Sequence, residues 1–157
     1  TLDRFQDTVS NVGWALIGTG VILLIGQRFA RGTRRLEEGG VPDAVLIGLA
    51  QAFALIPGIS RSGSTITAGN MRGFEPSQAA RYSFLLGIPT IAGAGLLQIP
   101  DLAGAGRLDA ALGVGFLTAA LSGYLAISLL LAVIKRIGLV PFAVYAFVVG
   151  ALTVAFL

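Results

Sequence analysis

The stretch Asp43-Ala-Val-Leu-Ile-Gly-Leu-Ala-Gln-Ala-Phe-Ala-Leu-Ile56, followed by Pro57-Gly-Ile-Ser-Arg-Ser-Gly63 and Ser64-Thr-Ile-Thr-Ala-Gly-Asn-Met71, decides the fold. Its first arm is 14 residues, about 21 Å of helix, and its second is shorter, so neither crosses a hydrocarbon core of about 30 Å. Pro57 and Gly58 break the run, and Arg61 follows at once. Two short apolar arms around a polar break read as a helical hairpin that enters and leaves the membrane by one face. Non-helical backbone at membrane depth needs protein or a wet cavity around it, so the tip is expected to line a polar pocket.

The rest of the chain supplies the membrane. Of 157 residues, 55% are hydrophobic and 12% charged, and mean hydropathy is +0.84. Adding the 22 glycines brings the apolar share to about two-thirds, against roughly half in soluble domains. Four charge-free stretches are expected to span the bilayer, near residues 8–27, 82–100, 110–134 and 137–157, with the re-entrant hairpin over 43–71. The expected fold class is therefore all-α integral membrane: about four transmembrane helices plus one hairpin, in a single polytopic domain over 1–157.

Charge placement orients these elements. Arg28, Arg31, Arg34 and Arg35 follow the first stretch, and Lys135 and Arg136 lie between the third and fourth, so both clusters are expected on the cytoplasmic side. The loop over 101–109 then falls outside. The arginines at 28–35 read as a topology determinant that meets anionic lipid, and Arg81 beside Tyr82 as an interfacial anchor. The net charge of +3 comes from a few arginines in an oily chain, which argues against nucleic acid as a partner. With no cysteine and no histidine, thiolate metal sites and Ser-His-Asp catalysis are excluded within this chain. The first residue is Thr and the one methionine is Met71, so further sequence is expected upstream or on another chain.

Chemistry concentrates at the hairpin tip. From Pro57 to Thr67, five hydroxyls, one guanidinium and two glycines share eleven residues of apolar surroundings. An arginine at membrane depth costs several kcal/mol unless paired or hydrated, and there is no carboxylate between Asp43 and Glu75. Phosphate suits the vacancy, because a guanidinium grips two oxygens while hydroxyls and helix-terminal amides serve others. The competing interpretation has Pro57 and Gly58 merely breaking a helix, the hydroxyls back-bonding to carbonyls, and Arg61 snorkelling to the interface. Gln51, ten residues before Arg61, is either a pocket residue or a packing amide; Gln98 reads as packing.

The run Gly48-Leu-Ala-Gln-Ala-Phe-Ala-Leu-Ile-Pro-Gly-Ile-Ser-Arg-Ser-Gly-Ser-Thr-Ile66 resembles the signature of undecaprenyl-diphosphate phosphatases, the bacitracin-resistance membrane phosphatases. The likeness continues through Ala80 to Pro89, Ser122 to Ile127 and Pro141 to Tyr145. It implies an enzyme of the bacterial plasma (inner) membrane, multi-pass, that hydrolyses a C55 polyprenyl diphosphate to the monophosphate and recycles the carrier for peptidoglycan synthesis. By the family pattern Ser60, Arg61, Ser62 and Thr65 line the diphosphate pocket, and a groove between helices holds the prenyl tail; the expected catalytic residues are Arg61 and Ser60, and the expected substrate contacts Gly58, Ser62, Ser64, Thr65 and Gln51. The family also implies a divalent cation, Mg or Ca, with ligands outside this chain. Family members consist of two inverted, related halves, and this chain matches the second. The resemblance thus implies a missing N-terminal half or partner chain carrying the acidic E-x-x-x-E motif and a histidine, and leaves a homodimer open. Tyr145 is followed by Ala146 where the family commonly has arginine. The alternative readings are half of a polyprenyl-phosphate transporter that moves lipid without hydrolysis, and a degenerate module that keeps only the fold.

Overall fold

The computed structural model describes residues 2–104 and 110–156, with side chains over 10–100 and 110–156. The described residues form helices α1 (Leu2–Arg28), α2 (Val41–Phe53), α3 (Arg61–Met71), α4 (Pro76–Gly104), α5 (Ala110–Ile137) and α6 (Val140–Phe156), with a short 3-10 turn at Leu36–Glu38 and no strand among them. Three segments are long and apolar enough to cross a membrane: Ser10–Arg28, Pro76–Pro100 and Ala110–Ile137. The chain is an all-α membrane protein. The stretch expected to span from 137 begins later, because Ile137 still belongs to α5. Gly138 then turns the chain at φ +77, and α6 starts at Val140 with Pro141 in its first turn. At 17 residues α6 is about 25 Å long, shorter than the other three. The outer loop expected over 101–109 lies outside the described residues, apart from the α4 backbone through Gly104.

The two arms α2 and α3 are 13 and 11 residues, joined by a turn over 54–60. Pro57 cannot continue α2, and Gly58 takes φ +90, a conformation that L side chains rarely adopt. A Cβ at Gly58 would also sit 2.6 Å from the Ala15 Cβ on α1. The tip is therefore folded back hard against the first helix.

The shorter arm occupies the centre. α3 packs against α1, α2 and α4, and all eight residues from Gly63 to Asn70 are buried. Two of its polar side chains find partners on α1: Thr67 Oγ1 donates to the Ile22 carbonyl at 3.0 Å and Asn70 Nδ2 to the Gly26 carbonyl at 3.1 Å. Gly26 has no room for a side chain, since a Cβ there would meet the Thr67 hydroxyl. Behind α1, α6 packs along its length, with Gly13 facing Gly150 and Gly20 facing the Phe147 ring. Small residues bring these helices together by dispersion alone, as packing inside lipid requires. By contrast, α5 packs chiefly against α4, and both helices expose apolar side chains such as Ile91, Leu97, Phe116 and Leu121. A helix apolar on every face and yet exposed is suited to lipid.

The base of the hairpin is tied by one carboxylate. Asp43, 4% exposed, accepts from Arg34 at 3.0 Å, from Arg72 at 2.5 Å and from the Gly40 N–H at 2.9 Å. Arg34 also donates to the carbonyls of Arg72 and Glu38, and its guanidinium lies 4.8 Å over the Phe74 ring. Backbone bonds from Arg34 N to the Gly73 carbonyl and from Glu75 N to the Arg34 carbonyl close the knot. This corrects the expectation that all of Arg28 to Arg35 meets lipid: Arg34 is spent inside the protein, and Arg35 pairs with Glu37 at 3.3 Å.

Hydrogen bonds from Arg34, from the Gly40 N–H and from Arg72 hold the Asp43 carboxyl well below the usual carboxylate range. A lowered folded-state pKa contributes stability that is present above the unfolded value, near 4, and lost as pH falls below it. Replacing one partner of a buried ion pair costs 3–5 kcal/mol when the site is fully dry; with both guanidiniums partly exposed, Asp43→Asn should cost about 2 kcal/mol. In detergent melts the variant should unfold well below the wild type at pH 7, with the gap narrowing below about pH 4. A pH-independent gap would show that the charge is not what stabilises the base.

Candidate functional site

The tip is held from α1 by a single hydroxyl. Thr19, 4% exposed, donates from Oγ1 to the Gly58 carbonyl at 3.1 Å and accepts from the Ser60 N–H at 3.0 Å. This satisfies two of the backbone groups that the break in the hairpin leaves unpaired. Ser60 then opens α3 as its N-cap, its Oγ accepting from the Gly63 N–H at 3.1 Å, while the Ser64 N–H bonds the Ser60 carbonyl. The amides of Arg61 and Ser62, at the first turn of α3, have no partner among the described residues. They point out of the helix end with the positive end of its dipole.

Arg61 stands at this terminus. Its guanidinium makes no hydrogen bond or ion pair with any described residue, and it lies flat against Gly87 of α4. A Cβ at 87 would come within 2.8 Å of its Nη2 and 3.1 Å of Nη1, so the glycine vacates the space that the guanidinium fills. One turn further along α4, Thr90 Oγ1 accepts from Gln51 Nε2 at 3.2 Å. Gln51 Oε1 is buried and unpartnered. One turn before Gly87, Ser83 Oγ lies 2.6 Å from Thr65 Oγ1. Ser83, Gly87 and Thr90, at i, i+4 and i+7, thus form one face of α4 that receives the hairpin.

The structure brings some of the expected site residues together and separates others. Arg61 and Gln51 share the α4 wall. Ser60 and Ser62, with hydroxyls 3.5 Å apart, line a small cavity of about 130 Å³ bounded by Leu23, Leu130, Ile134 and Phe142. Ser64 turns the other way: its buried Oγ has no partner and faces an apolar cleft of about 370 Å³ lined by Ile22, Leu46, Leu49 and Phe53. Thr65 is 1% exposed, and its hydroxyl is used by Ser83 and by the carbonyls of Arg61 and Ser62. The structure thus places the hydroxyls of Ser64 and Thr65 apart from the Arg61 guanidinium. At about 100° per residue, successive positions of α3 face three different neighbours. Thr65 acts as a strut that fixes α3 against α4.

Thr19, Ser83, Gly87 and Thr90 escape a reading that looks for clustered chemistry in sequence. Their signal is the small or polar residue repeating at helical spacing within an apolar span. Asp43 escapes because its partner Arg72 is 29 positions away. A guanidinium, two hydroxyls and free amides are donors, which suit an anion and do not fit a divalent cation. Among the described residues no three acidic side chains come together, and the nearest buried carboxylate, Asp43, is neutralised at the other end of the hairpin.

Residues 1–152 match the family described as Bacitracin resistance protein BacA. The chain belongs to this family. It is similar to an undecaprenyl-diphosphatase of Methanothermobacter thermautotrophicus, 47% identical over 160 residues, which cover 98% of this chain and 88% of that protein. It is also similar to the undecaprenyl-diphosphatases of Rubrobacter xylanophilus (42% identical, 99% of this chain, 60% of that protein) and Thermomicrobium roseum (48%, 86% and 50%). The chain thus spans about half to three-fifths of these two relatives and most of the Methanothermobacter protein.

Two substitutions test the geometry. Thr19→Val removes both bonds to the tip and leaves a buried N–H and C=O unpaired, so it should cost about 2 kcal/mol of stability in detergent melts. A change of less than a few tenths would mean that Thr19 does not hold the tip. Gly87→Ala meets only the far end of a flexible side chain, so its melting temperature should be near wild type. By displacing the Arg61 guanidinium it should weaken diphosphate binding by about 10- to 100-fold, measured by calorimetry with farnesyl diphosphate. Unchanged affinity would separate Arg61 from the ligand.

Proposed function

We propose that the chain binds the diphosphate end of a long polyprenyl diphosphate at the hairpin tip and serves removal of its terminal phosphate, the activity named for its relatives in the family. The observation that carries this reading is Arg61: a guanidinium within the bundle, at the N-terminus of a buried helix, with no protein counter-charge among the described residues. Leaving such a group unpaired costs stability, and an anionic ligand recovers that cost.

The roles follow from placement. Arg61 presents its fork to two oxygens of the phosphate that carries developing charge, and the N–H groups of Arg61 and Ser62 donate to a third. Ser60 and Ser62 supply hydroxyl donors on the neighbouring side, and Gly58 lets the chain turn sharply enough to bring them there. Gln51 stands on the same α4 wall, its Nε2 donating to Thr90 Oγ1, and closes the tip on the side of the first arm. Phosphoryl transfer asks the protein mostly for positioning and charge neutralisation, which this tip offers. The attacking group and the acid that protonates the leaving oxygen are assigned to sequence outside this chain, in the remainder of a longer protein or in a partner. The location we assign is the bacterial plasma membrane, with both basic clusters on the cytoplasmic side.

Arg61→Ala should lower affinity for polyprenyl diphosphate by at least 10-fold and abolish phosphate release from the C55 substrate, by 10² or more, wherever the wild-type protein shows it. Arg61→Lys should retain under a tenth of the activity, since lysine keeps the charge but not the fork. Wild-type-like binding in Arg61→Ala would refute the site. Lipid movement across vesicles without phosphate release would favour the transporter reading.

A further inference from the structure

At the opposite end of the hairpin the fold gathers cations that the tip does not use. The last turn of α1, the turn into α4 and the junction of α5 with α6 enclose a cavity of about 310 Å³ lined by Gln27, Glu75, Ser77, Lys135, Arg136 and Leu139. Next to it, sharing Gln27 and Ala30, lies a second, open groove at the end of α1 lined by Leu24, Arg28 and Arg31. Positions more than 100 residues apart in sequence thus place four cations around two adjoining hollows that share Gln27 and Ala30.

Three of the other arginines of the same end are already paired. Arg34 and Arg72 are bound to Asp43, and Arg35 to Glu37. The side chains of Arg28, Arg31, Lys135 and Arg136 make no hydrogen bond or ion pair with any described residue. The acid at the groove is Glu75, one of whose oxygens already accepts from the Ser77 hydroxyl at 2.7 Å. Gln27 forms the floor: its Oε1 accepts from the Leu139 N–H at 2.6 Å, which turns its NH₂ into a free neutral donor. Two adjoining hollows with four cations against one carboxylate, and an uncharged donor at their shared base, form a receptor for a phosphate-bearing anion.

The surroundings identify the carrier of that phosphate. The groove opens where the apolar lengths of α1 and α5 end, and Leu24 and Ile137 are exposed in its lining. An ion from solution would use only the cations, whereas an amphiphile would use both the cations and the apolar rim. We infer that this groove is a binding site for the headgroup of an anionic phospholipid, separate from the diphosphate site at the tip, and that it holds the junction of α5 and α6 against the end of α1. This matters for α5, which packs chiefly on α4 and has little other protein to hold it.

The test is native mass spectrometry of the purified chain titrated with phosphatidylglycerol, with phosphatidylcholine and inorganic phosphate as separate arms. Phosphatidylglycerol should be retained and raise the melting temperature, while neither control should. At about fivefold per charge, Arg31→Gln with Arg136→Gln should weaken retention at least tenfold. Arg35→Gln with Arg81→Gln, the same charge change outside the groove, should leave it within a factor of two. Lysine at both 31 and 136 should restore it, which distinguishes lost binding from a misfolded variant. Equal losses in the two charge variants would overturn the site in favour of general surface potential, and equal protection by inorganic phosphate would overturn the lipid as its occupant.

Discussion

A short polar helix occupies the place where an oily protein would be expected to keep its largest side chains, and the rest of the structure is arranged to satisfy it. From Gly63 to Asn70 every residue of α3 is buried, yet this stretch holds three hydroxyls and an amide. Each buried polar group without a partner costs about 1–3 kcal/mol, so the neighbours must supply acceptors where lipid cannot. For Thr67 and Asn70 they do so with backbone, the carbonyls of Ile22 and Gly26 on α1 accepting second hydrogen bonds, while Ser64 Oγ and Asn70 Oδ1 stay without a partner. Close approach is the condition, and Gly26 and Gly69 meet it by having no side chain where Thr67 and Ala79 stand.

Both ends of this helix are fixed, by different physics. At the base, Asp43 joins α2 to Arg72 just beyond α3 and to Arg34 in the loop after α1, so an ion-pair knot sets the hairpin's origin. At the tip, Thr19 sets the turn by hydrogen bonds alone. With both ends held and Thr65 braced on Ser83, the first turn of α3 is rigid relative to α4. Rigidity there has a functional meaning, since free amides and a guanidinium stabilise an anion best when they need no rearrangement to meet it.

The two short arms and three long apolar helices were legible in the sequence because they rest on local facts: charge-free lengths, Pro57, and a glycine at the position that needs positive φ. The all-helical class follows from the same facts. The tip was legible as a cluster but not as a geometry. Five hydroxyls close together in sequence suggest one cradle, whereas a helix distributes them over three faces and leaves only Ser60 and Ser62 near each other. The α4 wall of Ser83, Gly87 and Thr90 and the strut from Thr19 are tertiary, each joining positions 18 or more apart. So is the fate of Arg34, which looks like any member of a basic cluster until Asp43 and Arg72 are folded beside it. The start of α6 was misplaced because Ile137 is apolar enough to continue either helix, and only the turn at Gly138 decides between them.

Arg34, Arg72 and Arg61 carry the same side chain and meet opposite ends, and the difference is one of reach. A carboxylate in the first turn of α2 can serve the loop before it and the residue after α3, because the hairpin brings those points together. It cannot serve the tip, which lies the length of α2 away, 13 residues or about 20 Å of helix. The hairpin that places Asp43 among two arginines thereby leaves the third without one. At that distance Coulomb attraction offers Arg61 little, and Gly87 gives it space but no charge. The unpaired state of Arg61 is thus a product of the fold itself, and the charge missing at the tip is the one that the proposed diphosphate would bring.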